Sequence, residues 1–177
     1  MRIHSVPQSG AIKGAYMSKR QEKARRAAWQ YIEAPQEFRG GDPSLFLAGG
    51  ITGCPDWQAE MRELLSGTRL ALLNPRRADF PINDPGAAEA QIGWEHRHLR
   101  LATAVLFWFS CETMCPIVLY ELGAWSMTQK ALFVGVHPGY ARRQDVEIQT
   151  RLARPEVKIV NSLRELAAQV LEWDAHL

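Results

Sequence analysis

The chain has few cysteines, no long apolar run and almost no net charge, and each shortage narrows what it can be. Three cysteines in 177 residues (Cys54, Cys111 and Cys115) are too few, and odd in number, for a disulfide framework. They point to a reducing, cytoplasmic setting. No apolar stretch approaches the roughly 20 residues that cross a bilayer, so no membrane contact is expected. The first residues carry neither the apolar segment nor the small-residue cleavage site of a secretory signal. A Walker loop is missing, and so is a GxGxxG fingerprint. The second predicted strand closes on Asn74 rather than an acidic residue, which disfavours a nicotinamide dinucleotide site. Metal spacing is lacking too: Cys111 and Cys115 have no second pair, and His96 and His98 stand two apart, on different sides of a helix. Neither a metal nor a cofactor is expected.

What is present is an ordinary globular composition, 46% hydrophobic and 23% charged, in a length that suits one domain with an extension. The net charge of +2 is a cancellation. Residues 1–43 hold eight Lys/Arg against four Asp/Glu, a surplus of +4, which leaves −2 for the rest. Six of those bases fall between Lys13 and Arg26. Without interleaved aromatics or a recognisable motif, this basic N-terminal extension reads as a solvated segment, and nucleic acid is not expected as a partner.

From Ser44 onward, strands and helices alternate. SLFLAGG (44–50) is a buried strand running into a tight loop, and Pro55–Ser66 has helical spacing with Trp57, Met61 and Leu64/Leu65 on one face. RLALLNP (69–75) is a second strand, and RRADFPINDPG a loop by composition. A helix over 87–102, the strongest strand at 103–110, a helix over 116–130 and a strand at 131–136 follow. Residues 143–153 read as a helix, VKIV (157–160) as a strand, and 162–173 as a terminal helix opened by the capping box Ser162/Glu165. Residues 29–34 offer a further edge strand before Pro35. The alternation predicts an α/β fold: a doubly wound, flavodoxin- or Rossmann-like parallel sheet of about five strands with helices on both faces. Residues 44–177 form that domain.

In such a fold ligands bind beyond the carboxyl ends of the strands. Gly49, Gly50, Thr52 and Gly53 follow the first strand of the domain, where glycines serve either a tight turn or a close approach of ligand. Glu121 sits inside the apolar segment IVLYELGAW, so it is structural, paired with a base, or placed for chemistry. Glu95, in IGWEHRHL, belongs either to a solvated helix face or to the same pocket. Two carboxylates in one pocket can divide nucleophilic and acid/base work on a glycosidic bond. Cys115, just before Pro116, is expected at a helix N-terminus with its thiol pKa drawn downward.

Several segments, FLAGGITGCPDWQ, LLNPRR, IGWEHRHL, VLFWFS, CPIVLYELGAW and FVGVHPGYARRQDVEIQ, resemble the nucleoside 2-deoxyribosyltransferase family over about residues 44–170. YELG after the strand and WE on the preceding helix are the most specific parts. The resemblance implies a flavodoxin-like fold and cleavage of the N-glycosidic bond of a 2′-deoxynucleoside or nucleotide. Glu121 would be the nucleophile, forming a glycosyl ester that a second base or water resolves. Glu95 would exchange a proton with the departing base. Substrate-binding residues implied with them are Gly49, Gly50, Thr52, Asp56, Trp57, Asn74, Arg76, Trp94 and Cys115. Cys115 and Phe46 stand where the family carries an aspartate and a tyrosine. Arg76, Arg77, Arg142 and Arg143 would be available to a 5′-phosphate. A homodimer or higher homo-oligomer is also implied. Two alternatives stay open: a hydrolase of nucleoside 5′-monophosphates, and a catalytically silent nucleotide-binding module.

Overall fold

The run Ala104–Phe109, six residues buried at every position, is the centre from which the sheet is built outward. A strand covered on both faces has no reason to alternate polar with apolar residues, which is why this segment reads as continuous hydrophobic sequence. The computed structural model describes residues 29–177, so the basic stretch between Lys13 and Arg26 lies outside the described residues.

Five strands make one parallel sheet: β1 (Gln30–Glu33), β2 (Ser44–Gly49), β3 (Ala71–Asn74), β4 (Ala104–Phe109) and β5 (Ala131–Val136). Their order is β1-β3-β2-β4-β5. Among the described residues five helices connect and cover them: α1 (Trp57–Leu64), α2 (Ala87–Leu101), α3 (Pro116–Ser126), α4 (Arg143–Ala153) and α5 (Leu163–Ala175). The fold is the doubly wound α/β sandwich that the alternation predicts.

Side chains alternate across each strand and feed two cores. Phe46, Leu73, Val105 and Phe107 pack with Trp94 and Leu99 of α2, Val118 and Leu122 of α3 and Val146 of α4. Leu45, Leu47, Leu72 and Leu106 pack on the other face with Trp57 and Met61 of α1 and Leu166 and Val170 of α5. Each such side chain contributes about 1.5–3 kcal/mol when fully buried.

Two boundaries differ from expectation. The helix beginning at Pro116 ends at Ser126 rather than residue 130, because Met127 caps it and Thr128 closes a turn onto the Trp125 carbonyl. Lys130 is thereby freed to begin the approach to β5, and its ammonium closes the end of α2 on the carbonyls of Leu99 (2.7 Å) and Arg100 (3.0 Å). VKIV is not a strand. A turn from Arg154 to Val157 uses up its start, and only Val160 bridges to Gly135 before Ser162 opens α5. The fifth strand is instead β1, paired along its whole length with β3. The predicted cap forms, with Ser162 Oγ accepting the Glu165 N–H at 3.2 Å, while Glu165 Oε2 accepts from the Asn161 N–H at 3.2 Å.

β2 pairs with β3 on one side and β4 on the other, so the chain leaves it in opposite directions. A crevice opens at that switch point, beyond the strand carboxyl ends.

Candidate active site

The crevice is a cavity of about 340 Å³ between the β2–α1 loop, α2 and the start of α3. Its floor is the end of β2, where Phe46, Ala48, Gly49 and Gly50 line it with Ile51 and Thr52. Gly50 cannot be larger, because an added Cβ would strike the Cys54 thiol and lie 3.0 Å from Cys115 Sγ. Gly49 is held as tightly, with Trp57 beneath it and the Trp108 carbonyl 2.8 Å from where a Cβ would sit. These glycines are therefore required by the protein's own packing as well as by an open cavity. Trp57 stays under the floor, its Nε1–H donating to the Gly50 carbonyl at 2.9 Å.

The wall opposite carries the charge. Glu95 comes from α2 and Glu121 from α3, and both line the cavity. Among the described residues they are its only charged lining groups. Burial raises both carboxyls above the ordinary range. The negative charge of Glu95 raises Glu121 further, to about 7. Glu95 is partly relieved by Gln91, whose amide donates to Oε1 at 2.9 Å. Nothing comparable relieves Glu121, whose shift has only burial and Glu95 as causes. The two carboxyls are thus coupled through the charge on Glu95. The charge on Glu95 favours the proton on Glu121, so Glu121 becomes the anion as the pH passes about 7.

Cys115 also lines the cavity, as the cap residue of α3 with φ +46°. Its thiol departs from expectation. Burial pushes it up, outweighing the hydrogen bonds with Thr113 and Ser110. A raised, buried thiol is a poor nucleophile.

Gly49, Gly50, Thr52, Cys115, Glu95 and Glu121 are thus brought together, while the other sequence-predicted residues are not among the lining. Trp94 points into the core, stacked on His98 with ring centroids 3.9 Å apart and donating to the Gln36 carbonyl at 2.7 Å. Asn74 binds Tyr31 Oη and folds back on Arg76. Arg76 is consumed internally by Gln58 (2.9 Å), the carbonyls of Ile51 (3.1 Å) and Pro55 (2.9 Å), and Asp56 at 3.5 Å. Asp56 in turn caps α1 through the Ala59 N–H. Arg142 pairs with Asp145, Arg143 with Glu147, and Arg77 lies over the Phe80 ring. None of the four arginines faces the cavity.

Thr113 and Ile117 line the cavity and Gln91 bonds Glu95, although the sequence pattern did not offer them. The available signal for Gln91 was its spacing, one helical turn before Glu95. Among the described residues no group of three or more His, Cys, Asp or Glu side chains gathers as metal ligands would. No helix there is long and apolar enough to cross a membrane.

No curated protein matches the chain. Residues 42–140, from just before β2 through β5 and so including the cavity with both carboxylates, match the family model described as nucleoside 2-deoxyribosyltransferase like. That match spans more than half of the sequence, and the chain belongs to the nucleoside 2-deoxyribosyltransferase-like family.

Proposed function

We propose that this protein cleaves the N-glycosidic bond of a 2′-deoxynucleoside and passes the sugar to a second base, through a covalent ester on Glu121. The observation that carries the proposal is the pairing of Glu95 and Glu121 as the charged groups of one cavity at the switch point. The ionised Glu121 attacks the anomeric carbon as the bond to the base nitrogen breaks. The electron pair of that bond stays on the base, which takes a proton from Glu95. In the second half an acceptor base, or water, attacks the same carbon and releases Glu121, with Glu95 taking the proton back. A neighbouring anion also stabilises the positive charge that develops on the sugar.

The unit that carries the activity is residues 44–177, to which β1 adds an edge. Its partners are the nucleoside and a free nucleobase. A second copy is proposed to cover the face beside the site. There Ile117 and Tyr120 are 65% and 77% exposed and line, with Trp125, a groove of about 540 Å³ that shares both glutamates with the cavity. Three free thiols fit a reducing, cytoplasmic setting.

The test is a panel of deoxynucleosides and their monophosphates, incubated with and without a free acceptor base and followed by mass. Base release from nucleosides, with new nucleoside when acceptor is present, is expected. Release only from monophosphates would shift the proposal to a nucleotide hydrolase. Binding without turnover of any substrate would leave a silent nucleotide-binding module in its place.

A further inference from the structure

Gln91 occupies a position on α2 that no part of the proposed chemistry uses. Its amide nitrogen donates to the Pro75 carbonyl at 2.8 Å and to Glu95 Oε1 at 2.9 Å. A peptide carbonyl can only accept, so the Pro75 contact fixes which end of the amide faces Glu95. Both amide hydrogens are then committed. The other end, Oε1, is buried without a partner, a cost the fold bears to keep the donor where it is. Pro75 follows β3 and lines the cavity, so Gln91 ties one carboxyl to the rigid end of the sheet.

We infer that Gln91 is a positioning residue for base departure: anchored on Pro75, it holds Glu95 by Oε1 and stabilises the carboxylate that Glu95 becomes as its proton leaves. The inference rests on the reading of Glu95 as the acid. In that step the Glu95 O–H bond breaks, an N–H bond forms on the base, and the negative charge left behind falls on a carboxylate already facing an N–H donor. A neutral amide donor binds a carboxylate more strongly than a carboxylic acid. The contact therefore strengthens in the transition state, and only such contacts accelerate the chemical step. It also leaves Oε2 as the oxygen free to carry the proton.

Other groups bear on Glu95. Glu121 and the Cys115 thiol face the same cavity from α3, and His96 and Arg100 of α2 line the adjoining groove with Glu95. All are unchanged by substitution at Gln91, so a shift on substitution reports the amide. The direction follows from the bond: a donor on Glu95 lowers its pKa, and removing it raises the Glu95 midpoint.

Gln91→Met keeps the length of the side chain and loses the amide. On an ordinary purine deoxynucleoside, kcat/KM is expected to fall about 10- to 100-fold, the effect of one hydrogen bond to a charged group. An N7-methylated purine deoxynucleoside carries its own positive charge, and its base departs without a proton. On that substrate the loss should stay within about twofold, because the affected step is bypassed. A carboxyl-carbon NMR titration should show the Glu95 midpoint moved upward. Gln91→Glu, which also lacks the N–H and adds a negative charge, should move it further and guards against a Met variant that fails to fold. Equal slowing of both substrates, or an unmoved Glu95 midpoint in a folded variant, would overturn the inference. Wild-type protein that releases base from neither substrate would overturn the proposed function instead, so the two failures are distinguishable.

Discussion

Arg76 and Glu121 are both charged side chains beside the same cavity, yet their surroundings are opposite. Arg76 spends its guanidinium on Gln58, on backbone carbonyls of the β2–α1 loop and on Asp56. Glu121 is pushed up by burial and by a like charge, with no relieving contact among its causes. A charge with every partner filled has no capacity left for a ligand and reads as structure. One held against its own preference is a source of reactivity, at a cost in stability. The difference assigns roles that residue type alone does not: the base of the cavity's edge is a loop clamp, and the acid is the candidate nucleophile.

The largest expected effect on this contrast comes from Glu121→Gln. Turnover should fall about 10⁴-fold or more, as when a covalent nucleophile is removed. Stability should move the other way. Glu121 titrates near 7 in the fold and in the ordinary carboxylate range when unfolded. Its penalty is therefore absent in acid and complete above about pH 7. Thermal melts above that pH should show the variant more stable by about 2 kcal/mol, with the gain vanishing in acid. A variant less stable at every pH would break the contrast.

Glu95→Gln sharpens it. The loss of an acid should cost about 10²- to 10⁴-fold in turnover of ordinary nucleosides. It also removes the like charge that holds Glu121 up. In wild type the limb of the pH–rate profile proposed for Glu121 should rise with pH through about 7. In the variant that limb should move to lower pH, measurable on an N7-methylated substrate that needs no acid.

Arg76→Met should do the reverse of either glutamate change. It strands several loop acceptors and the Asp56 carboxylate, at a cost of about 2–4 kcal/mol in chemical denaturation. Turnover per folded molecule should stay within about threefold, since the guanidinium does not line the cavity. Trp94→Phe is the smallest: loss of the bond to the Gln36 carbonyl should cost about 1 kcal/mol in stability and leave turnover unchanged.

Trp94 and Glu95 also show where sequence stops being legible. The WE pair marks the right helix turn, but neighbours on a helix point about 100° apart. Only the packing of Phe46 and His98 decides that Trp94 faces the core and Glu95 the cavity. Strand β4 was readable because burial on both faces leaves a continuous apolar run. VKIV, apolar but for Lys158, forms a single bridge, because the turn before it and the capped helix after it leave no length for a ladder. Its place in the count of five is taken by QYIE at the opposite edge, a half-polar segment that is recognisable chiefly by its partner β3. The arginines after the strands were visible as charge. Their commitment to Asp145, Glu147 and the β2–α1 loop was not, since those pairings depend on how the chain folds back.

The covalent sugar ester proposed on Glu121 is tested most directly by trapping it. Protein mixed with a deoxynucleoside without acceptor base, quenched in acid and digested, should carry one added 2-deoxyribosyl group on the peptide containing Glu121. Acceptor base added before the quench should remove it. Base release with no modified peptide, or with the sugar on any other residue, would contradict the account.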